Sequence, residues 1–243
     1  MARTLNLWLA AGPSEAAAAA ALRLPMAWML YGVSQGGALR RTQLPAPPRG
    51  GLLGLTGPLP EAYVPQALAH SLAAECRRRS FRGVVLDCEG EMGPLTAALT
   101  ALNIPCFSPI KVESAALLIP SALSGGDFRA MLEAAADGHR GRLALHLTRM
   151  GHSFAMPAYP PQGEALTPEA LRALMAAHSP TPRFSPEMLC RYFTYRSESG
   201  PRFVLFDDVQ TARLKIEAAR EAGFTDAFVS HHQWGGQARG IFG

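Results

Sequence analysis

Apolar residues fall in short β-like runs that alternate with segments of helical periodicity. Residues 4–10, 27–33, 51–56, 83–88, 104–110, 115–120, 142–148 and 226–230 read as eight successive strands. An Ala-rich helix over 13–24 is opened by Pro13-Ser14-Glu15, and helices are also expected over 94–102 and 127–136. The clearest helix spans 60–80, where Val64, Leu68, Leu72 and Cys76 recur every four residues and form one apolar face. Thr167-Pro168-Glu169 opens another, with a cap, a first-turn proline and an acid near the positive end of the dipole. Asp208 caps a last one that stops at Gly223. Three prolines within 39–49 leave no room for a regular helix between strands two and three, and strands five and six are also too close for one. Segments 189–195 and 202–206 flank Ser197-Glu198-Ser199-Gly200 and read as an antiparallel hairpin.

The alternation predicts parallel α/β architecture. Eight strands in this length predict a compact, partly degenerate (β/α)8 TIM-type barrel. The hairpin is then an insertion at about 185–207, before the last helix and strand, in a single domain over 1–243. An open doubly wound sheet is the alternative. The chain has no internal repeat and no linker.

With 243 residues, 48% of them hydrophobic, the chain can bury a sizeable core without disulfides or metals. Its net charge of +4 rests almost wholly on arginine, with lysine only at Lys111 and Lys215, and it is spread along the chain. That pattern fits GC-rich coding rather than a basic surface, so no nucleic-acid partner is expected. No apolar run reaches membrane-span length, so no membrane partner is expected either. Met1-Ala2-Arg3 and the apolar residues 5–11 imitate a signal peptide, but Gly12-Pro13-Ser14-Glu15 interrupts them and no cleavage pattern follows. The segment reads as the first strand of a protein made in the cytoplasm. Cys76, Cys88, Cys106 and Cys190 have neither zinc-site nor disulfide spacing and read as buried free thiols, so no metal site is expected. The glycine-rich segment 50–57 lacks the ending of a phosphate loop, and Arg77-Arg78-Arg79 complements a helix C-terminus.

The chemistry-bearing stretch is Gly83-Val84-Val85-Leu86-Asp87-Cys88-Glu89. Side chains alternate along a strand, so Asp87 and Glu89 share the face of Val85. In a barrel that face is the interior, and the strand's C-terminal end is where sites are built. An exposed acidic turn is the plain reading of the same tripeptide.

Residues 81–89 resemble the active-site strand of glycoside hydrolase family 18, the chitinase and peptidoglycan-glucosaminidase family. They are most similar to its spore-cortex-lytic branch, whose motif runs Gly-Val-x-(Ile/Leu)-Asp-(aromatic)-Glu. Tyr192-Phe193-Thr194-Tyr195, Gly200, residues 203–208, Thr211, Lys215 and Gly223 resemble the C-terminal region of that branch. The resemblance implies Glu89 as the general acid and Asp87 as the group that orients the substrate's 2-acetamido N–H. The acetamido carbonyl then serves as nucleophile, so it also implies an N-acetylated glycan substrate, no metal and no organic cofactor. Spore association is implied as well, by deposition from the mother-cell cytosol.

Several positions depart from the family. Arg82 and Val85 stand where the fuller motif has aspartates, and Cys88 stands where an aromatic is usual. Strand six lacks the Met-x-Tyr-Asp pattern, and Ser230 replaces the tryptophan that floors the sugar subsite. These departures keep a second reading open, a catalytically silent barrel that binds glycan or serves as a structural spore protein.

Around the expected mouth, Trp234 offers a stacking surface from the loop after strand eight, with His231 and His232 as hydrogen-bond partners. Core packing is the plain alternative for Trp234. Tyr31 and Gln35 follow strand two and are candidates for the same mouth, with a plain loop as the alternative. His146, between Leu145 and Leu147, reads as a partly buried structural histidine, and His152 and Tyr159 lie beyond strand seven without a motif.

Overall fold

The computed structural model describes residues 4–44, 48–139, 142–157 and 163–243; Met1-Ala2-Arg3, Pro45, Pro47 and Tyr159 lie outside them. The chain opens with β1 (Asn6–Ala11), α1 (Ala16–Ala21), β2 (Met26–Val33), β3 (Leu39–Arg41), β4 (Leu52–Pro58) and α2 (Pro65–Arg79). Next come β5 (Val84–Glu89), α3 (Gly93–Ala101), β6 (Cys106–Ser108), β7 (Ala116–Pro120), α4 (Phe128–Gly138) and β8 (Leu143–Leu147). They are followed by β9 (Gly151–Ala155), β10 (Glu164–Ala165), α5 (Pro168–His178), β11 (Arg183–Ser185), β12 (Cys190–Ser197) and β13 (Gly200–Phe206). The chain ends with α6 (Val209–Glu221), β14 (Asp226–Ser230), α7 (His231–Trp234) and α8 (Ala238–Phe242).

β1 pairs in parallel with β14 on one side and with β2 on the other. The run β14-β8-β7-β6-β5-β4-β2 completes the ring, so the sheet closes into an eight-stranded parallel (β/α)8 barrel. β3 hangs antiparallel on β2. Among the described residues no helix joins β2 to β4 or β6 to β7. The second gap leaves a groove of about 1120 Å³ on the flank at the N-terminal ends of β6 and β7. α1 is shorter than expected because Pro13-Ser14-Glu15 forms a turn before it and Arg23 turns left-handed just after it (φ 56°). On α2 the buried face is Leu68, Leu72 and Cys76, while Val64 is the exposed residue preceding the helix.

Alternation along the strands sorts the core into two shells. Trp8, Ala27, Leu52, Val85, Phe107, Ala116, Leu118, Ala144 and Phe228 fill the barrel interior. Leu9, Leu53, Leu55, Leu86, Leu145 and Val229 face the helices. The base of the interior is polar and satisfied: buried Asp226 accepts from Trp8 Nε1 (2.9 Å), Asn6 Nδ2 (3.2 Å), Arg142 Nη2 (3.2 Å) and Thr225 Oγ1 (2.7 Å).

The expected hairpin is present as β12 and β13, but it is part of a larger insertion. A five-stranded antiparallel sheet in the order β10-β9-β13-β12-β11 begins at residue 151, directly after β8. β10 and β11 are two and three residues long and borrow their stability from neighbours, which is why no sequence pattern marks them.

Asp207 ties this sheet to the barrel. It follows β13, is 1% exposed, and accepts from Lys215 Nζ (2.8 Å), Thr211 Oγ1 (3.0 Å) and the Met150 amide (2.9 Å). Lys215 is equally buried, with its ammonium 5.6 Å from the centre of the Phe128 ring. Removing one charge strands the other where water cannot reach it. Lys215→Ala is therefore expected to lower unfolding free energy by about 3–5 kcal/mol in denaturant titration. Restoring neutrality with Asp207→Asn/Lys215→Met should recover a substantial part of that loss.

Candidate active site

β5 delivers the two carboxylates to the C-terminal end of the barrel. Val84, Val85 and Leu86 are buried, and the strand then emerges into solvent at Asp87 and Glu89. The parallel register sets Thr56 of β4 beside Asp87 and Pro58 beside Glu89. The two acids are thus successive members of the inward face that Val85 begins. Cys88 points the other way, with its thiol donating to the Leu55 carbonyl (3.3 Å). Gly90 then takes φ 113°, a left-handed conformation open to glycine, and turns the chain toward α3.

The mouth is a cavity of about 330 Å³. Val85, Leu118 and Phe228 form its apolar wall, and Asp87, His146, Ser230, Glu15 and His232 supply polar groups. Met29 lies on its floor. An added Cβ at Gly54 would stand 2.3 Å from the Met29 sulfur, so the glycine makes room for the thioether. Asp87 lines this cavity. Glu89, one pleat further out, is exposed at the rim and does not line it. Both acids are exposed.

The structure redistributes the other candidates. His232 lines the mouth and its Nδ1 lies 3.1 Å from Glu15 Oε1; His231 Nδ1 lies 3.8 Å from the other oxygen of the same carboxylate. Tyr31 does not reach the mouth. A bulge between Met29 and Tyr31 shifts the pairing with β4 from Gly54 to Leu55, which turns Tyr31 outward under α2. There it is 2% exposed and donates to Glu75 Oε1 (2.8 Å); burial, followed by the Glu75 carboxylate, holds its hydroxyl well above the usual phenol range. Gln35 is exposed in the turn between β2 and β3, away from the lining groups. Trp234 is also not a stacking surface. It is 2% exposed, its Nε1 donates to the Leu147 carbonyl (3.3 Å), and the Arg149 guanidinium lies 4.8 Å from its ring centre.

His146 belongs to the mouth although its leucine neighbours suggest a structural role. Leu143, Leu145 and Leu147 face outward, so Ala144 and His146 face in, as Val85 and Asp87 do on β5. The alternation that places Asp87 places His146 as well. Burial lowers the affinity of this imidazole for a proton, and the Asp87 carboxylate offsets part of that effect. His152 lies on β9 in the second sheet.

Burial pushes the thiols up, to about 12 for Cys88 and Cys106 and about 11 for Cys76 and Cys190, so none is a ready nucleophile. Among the described residues no three His, Cys, Asp or Glu side chains are grouped to hold a metal ion. No helix among them is long and apolar enough to cross a membrane.

Neither a protein-family model nor a curated protein sequence matches the chain. Solved structures do. A chitinase from Chromobacterium violaceum ATCC 12472 superposes with a TM-score of 0.64 at 13% identity, covering 98% of each chain. The GH18 chitinase from Cycas revoluta in complex with (GlcNAc)3 gives 0.64 at 15% identity, also over 98% of each chain. The spore cortex-lytic enzyme SleL from Bacillus cereus gives 0.65 at 13% identity, covering 96% of this chain and 72% of that one. The fold is that of the GH18 chitinases. At these identities the likeness establishes a glycan-hydrolase-like fold and leaves the chemistry to the residues of this chain.

Because His146 binds a proton less readily in the folded chain than in the unfolded one, its stabilising contribution is complete above the ordinary imidazole value of about 6.5. That contribution is lost as pH falls through the lower folded value. His146→Gln is expected to flatten the decline in unfolding free energy on acidification below about pH 6.5, measured by denaturant titration across pH.

Proposed function

We propose that the protein is a glycoside hydrolase acting on N-acetylglucosamine-containing glycans, peptidoglycan or spore cortex, by substrate-assisted retaining hydrolysis. The observation that supports this reading is the pair Asp87 and Glu89 on one face of β5, at an open mouth at the C-terminal end of a chitinase-like barrel. Glu89 at the rim protonates the glycosidic oxygen as the bond to the leaving sugar breaks. The 2-acetamido carbonyl oxygen of the substrate attacks the anomeric carbon from the opposite face. Asp87, deeper in the cavity, accepts the acetamido N–H and stabilises the positive charge of the cyclic intermediate. Glu89, now a carboxylate, takes a proton from the water that opens this intermediate, which returns the anomeric configuration to that of the substrate. His232, which lines the mouth and is linked to Glu15, borders the sugar, and His231 approaches the same carboxylate without lining the mouth. The setting in which such a reaction serves is the spore or another peptidoglycan layer.

A second reading is a barrel that binds glycan without cleaving it. Leu118 and Ser230 line the mouth where this reading needs neither an acetamido-binding tyrosine nor an aromatic floor.

Glu89→Gln keeps the shape of an exposed side chain and removes only its proton chemistry. It is expected to lower turnover of N-acetylglucosamine oligomers or cortex peptidoglycan by about 10²–10⁴-fold with unchanged melting temperature. Asp87→Asn should act in the same direction. Absence of turnover by the wild-type protein on both substrates would leave the binding reading in place of the hydrolase.

A further inference from the structure

A second cavity opens beside the mouth and shares His232 with it. It measures about 480 Å³ and lies where the chain leaves β8 and β14, between α5 and the segment Gln233–Gln237. Asp207 is paired with Lys215 (2.8 Å), Asp208 with Arg191 (2.8 Å) and Glu169 with Arg172 (2.8 Å). His232 is partnered with Glu15 (3.1 Å). Arg149 remains, the one cation lining the groove that has no carboxylate within 4 Å among the described residues.

Arg149 is held in place without being neutralised. Its amide donates to Gln233 Oε1 (2.9 Å), its Nη1 donates to the Gln233 carbonyl (3.1 Å), and its guanidinium carbon lies 4.8 Å from the ring centre of buried Trp234. This leaves Nε and Nη2 without a protein acceptor among the described residues. Half-burial presses on its charged form, and the carboxylates of Asp207, Asp208 and Glu169, none of them within 4 Å, offset part of that pressure. A planar, pre-oriented guanidinium with adjacent free donors matches a carboxylate in two-point geometry.

We propose that this groove is an anion subsite in which Arg149 binds a carboxylate carried by the saccharide lying in the mouth. The inference rests on the glycan reading above and adds to it a preference for acidic over neutral sugars. The carboxylate can sit on a lactyl ether, as on muramic acid, or on a hexuronate ring, and its position along the chain decides which one reaches from the mouth to Arg149.

The test is equilibrium binding of the full chain to four tetrasaccharides. One is the neutral N-acetylglucosamine oligomer, and one alternates N-acetylglucosamine with N-acetylmuramic acid. The third is that glycan with its carboxylates amidated, and the fourth alternates N-acetylglucosamine with glucuronate. The wild type is expected to bind a free-acid form about ten-fold tighter than the amidated or neutral one, with the advantage shrinking as salt rises. Which free acid gains identifies the source of the carboxylate. Arg149→Met keeps the aliphatic stem over Trp234 and should remove the preference while leaving neutral-sugar affinity intact. Arg149→Lys keeps the charge, loses the paired donors and should retain only part of it.

Equal affinity for acidic and neutral forms, or equal losses on both in Arg149→Met, overturns the subsite while sparing the glycan reading. Binding of none of the four overturns both. Preferential binding of an acidic form without turnover sustains the subsite and removes only the hydrolase.

Discussion

Closure of the sheet through β1 is the constraint on which the rest depends. One six-residue strand hydrogen-bonds to β14 on one edge and β2 on the other, so no edge is left open and every strand must present one face inward. That inward face is rationed by position. At the base it is the satisfied Asp226 network, in the middle it is apolar, and at the C-terminal end it becomes polar on β5, β8 and β14. The mouth exists because eight strand ends are brought into one ring. Asp87 and His146 come from strands that are not neighbours in the sheet, yet both line the same cavity.

Much of this was legible in the sequence because it obeys period two. The eight strands, the two missing helices, the Asp208 cap and the shared face of Asp87 and Glu89 follow from local pattern and alternation. Local pattern does not suffice where one event breaks or hides the period. One bulged residue in β2 was enough to send Tyr31 to the helix side. His146 is partly buried, as its leucine neighbours suggest, and it also lines the mouth, because those leucines mark the outward face. The second sheet escaped because β9 has no alternation of its own, and β10 and β11 are held by partners distant in sequence. Trp234 could not be assigned from the sequence, since the same indole serves as platform or as core according to what covers it, and here it is buried against Arg149 and bonded to the Leu147 carbonyl.

The upper face of the barrel also has a division of labour among charges. Ion pairs at Asp207, Asp208 and Glu169 organise the second sheet, α5 and α6, and Glu15 engages both histidines of α7 across the junction of the first and last strands. The carboxylates of β5 take no part in these pairs: neither Asp87 nor Glu89 has a cation within 4 Å among the described residues. The β5 carboxylates thereby stand apart from the scaffold's ion pairs, so a change at exposed Glu89 can alter chemistry with little demand on stability.

The close fit of Met29 against Gly54 has a consequence for the shape of the mouth. A branched or aromatic residue on that floor would fix the depth of the cavity through the backbone. An unbranched thioether with three rotatable bonds does not, since its terminal methyl can swing without moving a strand. The depth available to a guest is therefore a rotamer property, adjustable while all eight strands keep their register.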